Sequence, residues 1–262
     1  MIGFIGGGNM AEALIKGIRQ GGKKDIIVSE PRADRRAYLE KTYGVTTTSD
    51  NKEVTKRCNI IIFAVKPQNM DEVTAEIADT LAKEAIVISI AAGITLSYLS
   101  SRLKTDRIIR VMPNTPALVL EGMSVLSLCE CIADKEMSIV RDIFMSVGKV
   151  LVLPEKYMDA VTALSGSGPA FFAYFVEAMI EAGEKVGLSR ENASDLAIQT
   201  MSGTAKMLDT GMPPAKLREM VTSPGGTTAA GLKIFEERNM KTLIADVIGA
   251  AKKRSEELGR KG

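Results

Sequence analysis

The sequence predicts an α/β protein: a doubly wound, mostly parallel sheet over residues 1–154, then an all-α dimerisation domain over residues 155–262. Three observations predict it. Short apolar runs rich in β-branched residues alternate with helical patterns through the first part. That alternation stops at Pro154, after which only helical patterns follow. A glycine cluster also opens the first helix directly behind the first apolar run.

Taken in order, parallel strands are expected at residues 1–5, 25–29, 59–64, 85–89 and 107–112. Each is short and apolar almost throughout, as strands covered on both faces are. Helical patterns at 10–21, 32–43, 51–57, 70–81 and 96–103 connect them. This β-α-β-α rhythm folds as a doubly wound sheet. Runs at 124–128 and 150–153 flank a helix at 134–146 and should finish the sheet with some antiparallel pairing.

Beyond Pro154, helices are expected at 169–186, 189–208, 213–221, 227–237 and 240–258. Pro169 suits a first turn, Ser189 an N-cap, and Gly187 and Gly211 helix ends. The run Phe171-Phe172-Ala173-Tyr174-Phe175-Val176 is apolar on every face, so its helix must be buried all round. The helical segment is too short to enclose it alone. Two chains packing these helices together as an obligate dimer would resolve the shortage.

The chain has 262 residues, 45% hydrophobic and 25% charged, which suits a globular protein of one or two domains. A net charge of +2 offers no electrostatic case for nucleic acid or an acidic membrane. No apolar run is long enough to span a bilayer, and the start lacks the features of a signal peptide. Cys58, Cys129 and Cys131 are an odd set, which argues against a disulfide framework and for the cytoplasm. Cys129 and Cys131 have neither zinc spacing nor neighbouring ligands. The sequence contains no histidine, which excludes Ser-His-Asp hydrolysis, Cys-His proteolysis and His-ligated zinc catalysis.

The motif Gly6-Gly7-Gly8-Asn9-Met10-Ala11 follows the first strand and opens a helix, the glycine-x-glycine-x-x-alanine form of a dinucleotide fingerprint. Gly6 permits the tight turn. Gly8 lacks a Cβ, so a pyrophosphate can approach the backbone, and Ala11 lets the helix sit close on the strand. The helix start then offers N–H groups to the phosphates. The second strand runs into Ser29-Glu30-Pro31-Arg32. Glu30 suits the adenosine ribose 2′-hydroxyl of NAD(H), whereas Arg32, Arg35 and Arg36 suit the 2′-phosphate of NADP(H). A solvated helix face is the plainer reading of Arg35 and Arg36. Ala64-Val65-Lys66-Pro67, at the end of another strand, stands where ligands meet such sheets. Asp50 with Glu53 resembles a capping box, leaving Asn51 a first-turn residue.

A second glycine motif, Thr222-Ser223-Pro224-Gly225-Gly226-Thr227-Thr228, precedes another helix. Adjacent glycines and hydroxyls there expose backbone N–H groups suited to a small carboxylate. Ser165-Gly166-Ser167-Gly168-Pro169 is a similar hydroxyl-rich helix start. The plain reading of each is an ordinary capped turn. Two in one small domain favour a substrate pocket.

Together with Met112-Pro113-Asn114-Thr115-Pro116, these motifs resemble those of pyrroline-5-carboxylate reductases, in the same order along essentially the whole chain. The resemblance implies reduction of 1-pyrroline-5-carboxylate to L-proline with NAD(P)H, the last step of proline biosynthesis. It implies a Rossmann-type domain, a helical dimerisation domain, and interlocked dimers that can build larger rings. Carried over, Gly6, Gly8, Asn9 and Met10 would hold the cofactor phosphates. Asn51 would meet its adenosine side, beside Glu30 and Arg32 as read above from the residues, with Ala64, Val65, Lys66 and Pro67 at its ribose and nicotinamide and Asn114 at its nicotinamide face. Ser165, Ser223, Gly225, Gly226 and Thr227 would bind substrate. Thr228 would stand near the ring nitrogen as the catalytic hydroxyl. Many family members lack an acidic residue at the position of Glu30, so the family's leaning to NADPH leaves NADH and NADPH both open for this chain.

Two other readings share the architecture. A β-hydroxyacid dehydrogenase would need a catalytic lysine with an asparagine, for which Lys185 and Asn192 are the available pair. A non-catalytic dinucleotide-binding regulator would need neither hydroxyl-rich helix start. Turnover of a cyclic imino acid separates all three.

Overall fold

Successive side chains of a strand point to opposite faces, and the sheet of this protein uses both. The computed structural model describes residues 1–22, 25–128 and 132–259; Cys129 and Cys131 lie outside them. The first half runs β1 (Ile2–Ile5), α1 (Asn9–Gln20), β2 (Ile26–Ser29), α2 (Ala33–Tyr43), β3 (Thr46–Thr48), α3 (Asn51–Arg57), β4 (Ile60–Phe63), α4 (Met70–Ile77), β5 (Ile86–Ser89), α5 (Leu96–Leu103) and β6 (Ile108–Met112). Then come β7 (Gly122–Leu128), α6 (Asp134–Met145) and β8 (Gly148–Val152). The eight strands form one sheet in the order β3-β2-β1-β4-β5-β6-β7-β8. Among the described residues only the β6–β7 pairing is antiparallel; β8 returns parallel to β7.

Phe4 and Ile62 face a core completed by Leu14 of α1 and Phe144 of α6. Ile5, Ile61 and Phe63 face the other, against Met70 and Ile77 of α4 and Leu99 of α5. The register aligns Ile5 with Ser29 on one side and with Phe63 on the other. The carboxyl ends of β1, β2 and β4 therefore finish level. Chain order reverses between β1 and β4, which opens the crevice where such sheets bind ligands.

The remainder is helical: α7 (Met158–Val161), a π-helix at Thr162–Gly166, α8 (Gly168–Lys185), α9 (Arg190–Asp209), α10 (Pro214–Met220), α11 (Thr227–Glu237) and α12 (Met240–Gly259). Contacts divide the chain into residues 1–167 with the C-terminal segment from Ala250, and a second unit, Gly168–Gly249. Residues 155–167 group with the sheet for a local reason. The Glu155 carboxylate accepts from Arg110 Nη1 at 3.0 Å and from the Leu96 N–H at 2.8 Å. Asp159 accepts from the Ser255 hydroxyl at 2.6 Å. Within the second unit, a Cβ on Gly183 would lie 2.9 Å from Ala193 Cβ, so the glycine lets α8 and α9 close on each other.

The structure adds elements that the sequence reading leaves out. β3 is three polar threonines on the sheet edge. α7 and the π-helix lie where the sequence reading places no element.

Candidate functional site

Gly6 has φ +99, and a Cβ there would stand 2.6 Å from the Ala64 carbonyl oxygen, so β1 and β4 approach this closely only around a glycine. The next peptide is held from both sides. The Gly7 N–H donates to Glu30 Oε2 at 3.0 Å, and its carbonyl accepts from Arg35 Nε at 2.6 Å. Gly8 is the N-cap of α1 without any side-chain cap, and a Cβ on it would meet nothing within 4 Å. The start of α1 therefore has no side-chain cap and leaves room beside Gly8. Ala11, wholly buried, lets the helix lie against the sheet.

Arg35 and Arg36 are not a solvated helix face. Arg35 pairs with Glu12 at 2.5 Å, and Arg36 Nη1 donates to the carbonyls of Glu30 at 2.7 Å and Pro31 at 2.8 Å. Glu12 also accepts from the hydroxyls of Tyr38 at 2.8 Å and Tyr43 at 2.7 Å. Burial pushes the Glu12 carboxyl up. Hydrogen bonds from Tyr43, Arg35 and Tyr38, with the Arg35 charge, outweigh it and leave the carboxyl below its ordinary range. Burial and the Glu12 carboxylate together push the Tyr43 hydroxyl up.

Glu30 is buried, and its second oxygen accepts the Arg32 N–H at 3.1 Å and Arg32 Nε at 3.4 Å. Asn51 is more than a first-turn residue. Its Oδ1 accepts from the Ser29 hydroxyl at 2.7 Å and its Nδ2 donates to Glu76 at 2.6 Å. Asp50 caps α3 through the Lys52 N–H at 2.8 Å, while Glu53 pairs with Arg57 at 2.7 Å.

A cleft of about 520 Å³ brings together Gly6, Gly8, Glu30, Arg32, Asn51, Ala64, Val65 and Lys66. Pro67 begins a 3₁₀ turn just beyond, and Asn9 and Met10 open α1. Ser29, Glu72 and Glu76 also line the cleft and were missed. The signal for the glutamates was their spacing, since residues four apart share one face of a helix. Asn114 stands elsewhere, with Ser165: its Oδ1 accepts the Met123 N–H at 2.8 Å and its Nδ2 donates to Ser165 O and Oγ, each at 3.3 Å.

In the second unit, Gly225 takes φ +70 and the Gly226 N–H closes a turn onto the Ser223 carbonyl at 3.0 Å. Gly226 is the N-cap of α11 and gives it no side-chain cap. The Thr222 hydroxyl is turned back onto the Arg218 carbonyl at 2.6 Å. Ser223, Gly225 and Thr227 are exposed and Thr228 is half-buried. This is a bare helix start beside hydroxyls, suited to a small anion.

The doubly wound sheet and its glycine cleft define a dinucleotide-binding protein of the Rossmann type. A family model described as NADP oxidoreductase, coenzyme F420-dependent, matches residues 1–93, and one described as pyrroline-5-carboxylate reductase dimerisation matches residues 155–258. A pyrroline-5-carboxylate reductase of Synechocystis is 42% identical, over 99% of this chain and 98% of its own. Among solved structures, a pyrroline-5-carboxylate reductase from Coxiella burnetii superposes with a TM-score of 0.93 at 36% identity, covering 98% of this chain and 97% of its own. The Plasmodium falciparum pyrroline carboxylate reductase, solved with NADP bound, gives 0.87 at 34% identity, with 98% and 97% covered. The chain belongs to the pyrroline-5-carboxylate reductase family. Among the described residues, no helix is long and apolar enough to cross a membrane.

Proposed function

We infer that this protein reduces 1-pyrroline-5-carboxylate to L-proline with NAD(P)H, as the last step of proline biosynthesis. Likeness to curated reductases of that name along the whole chain carries the reading. The cleft fits the cofactor: the space in front of Gly8 and the uncapped start of α1 are what a pyrophosphate needs. Gly6, Gly8, Asn9 and Met10 would hold the phosphates, and Glu30, Arg32 and Asn51 the adenosine side. Ala64, Val65, Lys66 and Pro67 would line the rest, with Asn114 at the nicotinamide face.

The reduced nicotinamide supplies the hydride. A cyclic imine that enters protonated takes it at carbon, and the C=N π electrons return to nitrogen, giving the amine with no further proton required. That chemistry suits a chain without histidine. The residues' task is then to bind, orient and exclude water. The N–H groups at Gly225 and Thr227, placed by the turn at Gly226, would hold the substrate carboxylate with Ser223 and Ser165. The Thr228 hydroxyl, in the first turn of α11, would orient the ring nitrogen and keep its proton directed.

The helical segment, with its boundary at residue 155, is proposed to form an interlocked homodimer, and the protein to work in the cytoplasm. The first measurement is nicotinamide absorbance with pyrroline-5-carboxylate and NADH or NADPH. Loss of absorbance with proline formed is expected; binding of cofactor without turnover would refute the substrate assignment. Thr228→Ala should lower kcat/KM by about 10²-fold through lost orientation with cofactor affinity unchanged. Full efficiency would remove Thr228 from the mechanism.

A further inference from the structure

We propose that Glu30 makes this enzyme prefer NADH to NADPH, by occupying the place a 2′-phosphate would need with a carboxylate that cannot turn away. The inference rests on the dinucleotide reading of the cleft, but not on the identity of the substrate. Glu30 directly follows β2, where an acidic side chain meets the ribose 2′-hydroxyl of a bound dinucleotide.

The immobility of Glu30 comes from its partners. One oxygen accepts the Gly7 N–H at 3.0 Å; the other accepts the Arg32 N–H at 3.1 Å and Arg32 Nε at 3.4 Å. Swinging it aside would strand the Gly7 N–H at the centre of the phosphate loop. A carboxylate has about four acceptor sites, so these three donors leave room for a ribose hydroxyl. A phosphate only accepts at its charged oxygens and carries close to two negative charges. Against Glu30 it gains no hydrogen bond and meets like charge.

The surrounding cations do not reverse this balance. Arg35 is engaged by Glu12 and the Gly7 carbonyl, and Arg36 Nη1 by the carbonyls of Glu30 and Pro31. Arg32 is the candidate phosphate ligand, but its N–H and Nε both face Glu30, so a phosphate met by the rest of that guanidinium would still lie beside the carboxylate. Glu72 and Glu76 line the same cleft, so three carboxylates stand there against Arg32 and Lys66.

Binding without substrate tests this. Titration of the full-length protein, followed by nicotinamide fluorescence, should give a Kd for NADH at least about tenfold below that for NADPH, ~1.4 kcal/mol. Glu30→Gln keeps an acceptor for the Gly7 N–H and removes the charge, and should bring the two within about twofold, ~0.4 kcal/mol. Equal or tighter NADPH binding by the wild type overturns the proposal, as does an unchanged ratio in Glu30→Gln. A competition needing no variant gives a second readout. Adenosine 5′-monophosphate should displace NADH better than adenosine 2′,5′-bisphosphate, and the reverse order also overturns it. Preferred NADH binding without reduction of pyrroline-5-carboxylate would leave this proposal standing and remove the substrate assignment.

Discussion

Gly6 and Gly8 stand two residues apart and are needed for different reasons, which makes them separable by experiment. Gly6 is required by the protein, because a Cβ would press on the Ala64 carbonyl and φ +99 suits no L side chain. Gly6→Ala should cost about 1–3 kcal/mol of stability, read as a lower melting temperature without cofactor. Gly8 has an extended φ of −70 and open space around its missing Cβ. Gly8→Ala should leave stability within about 0.5 kcal/mol and weaken dinucleotide binding at least about tenfold, ~1.4 kcal/mol. The opposite pattern would mean that no ligand approaches the loop. A third residue-scale outcome concerns Cys58. Burial pushes its thiol up to about 11. Its peptide should resist alkylation in the native protein at mildly alkaline pH and react once unfolded. A folded pKa above the unfolded value also means that stability from the neutral thiol is full below 9.0 and is lost as pH climbs towards 11.

The seam between α1 and α2 does at the scale of elements what the glycines do locally. Glu12 on α1 receives Arg35, Tyr38 and Tyr43 from α2, and Arg35 reaches on to the Gly7 carbonyl. The helix pair thereby sets the phosphate loop. Glu12→Gln should cost about 1.5–3 kcal/mol at neutral pH. Because the folded carboxyl is held below its unfolded value, this stability is present above the ordinary carboxylate range and is lost as pH falls through the lowered folded value. Urea midpoints of wild type and variant should therefore converge in acid; a constant gap would deny the ionic part of the seam. None of this was legible in the chain, since the four residues meet only through the packing of two helices. Other features were readable. Continuous apolar runs marked the buried strands, and the glycine motif marked the cleft. β3 was hidden because its threonines lie on the sheet edge and carry no apolar signal. The π-helix at Thr162–Gly166 was hidden because its hydroxyl and glycine content reads as a turn, although Ser165 within it had been singled out. Asn51 was found by family likeness alone; its lock between Ser29 and Glu76 needs three separate elements.

At the scale of the molecule, residues 168–249 cannot be a finished fold in one chain. Their buried apolar side chains are two alanines, Ala193 and Ala197, and Leu217, whereas Phe172 is 61% exposed, Tyr174 74% and Leu243 61%. Leu196, Ile198, Ile234, Phe235 and Ile244 are exposed as well. Burying a large apolar side chain contributes about 1.5–3 kcal/mol, so eight such residues left wet forgo on the order of 10 kcal/mol, as much as a whole domain's net stability. A second copy carries the same surface, and a two-fold interface needs no other partner. The aromatic run of α8 then gains the all-round burial that its sequence demands. Folding and association are coupled in such a case, so the melting temperature should rise with protein concentration. Dilution followed by sedimentation and circular dichroism should show helix lost together with the dimer. Phe172→Asp combined with Leu243→Asp should push the coupled transition to higher concentration. A monomer that keeps its full helical signal at low concentration would show that these faces are covered some other way.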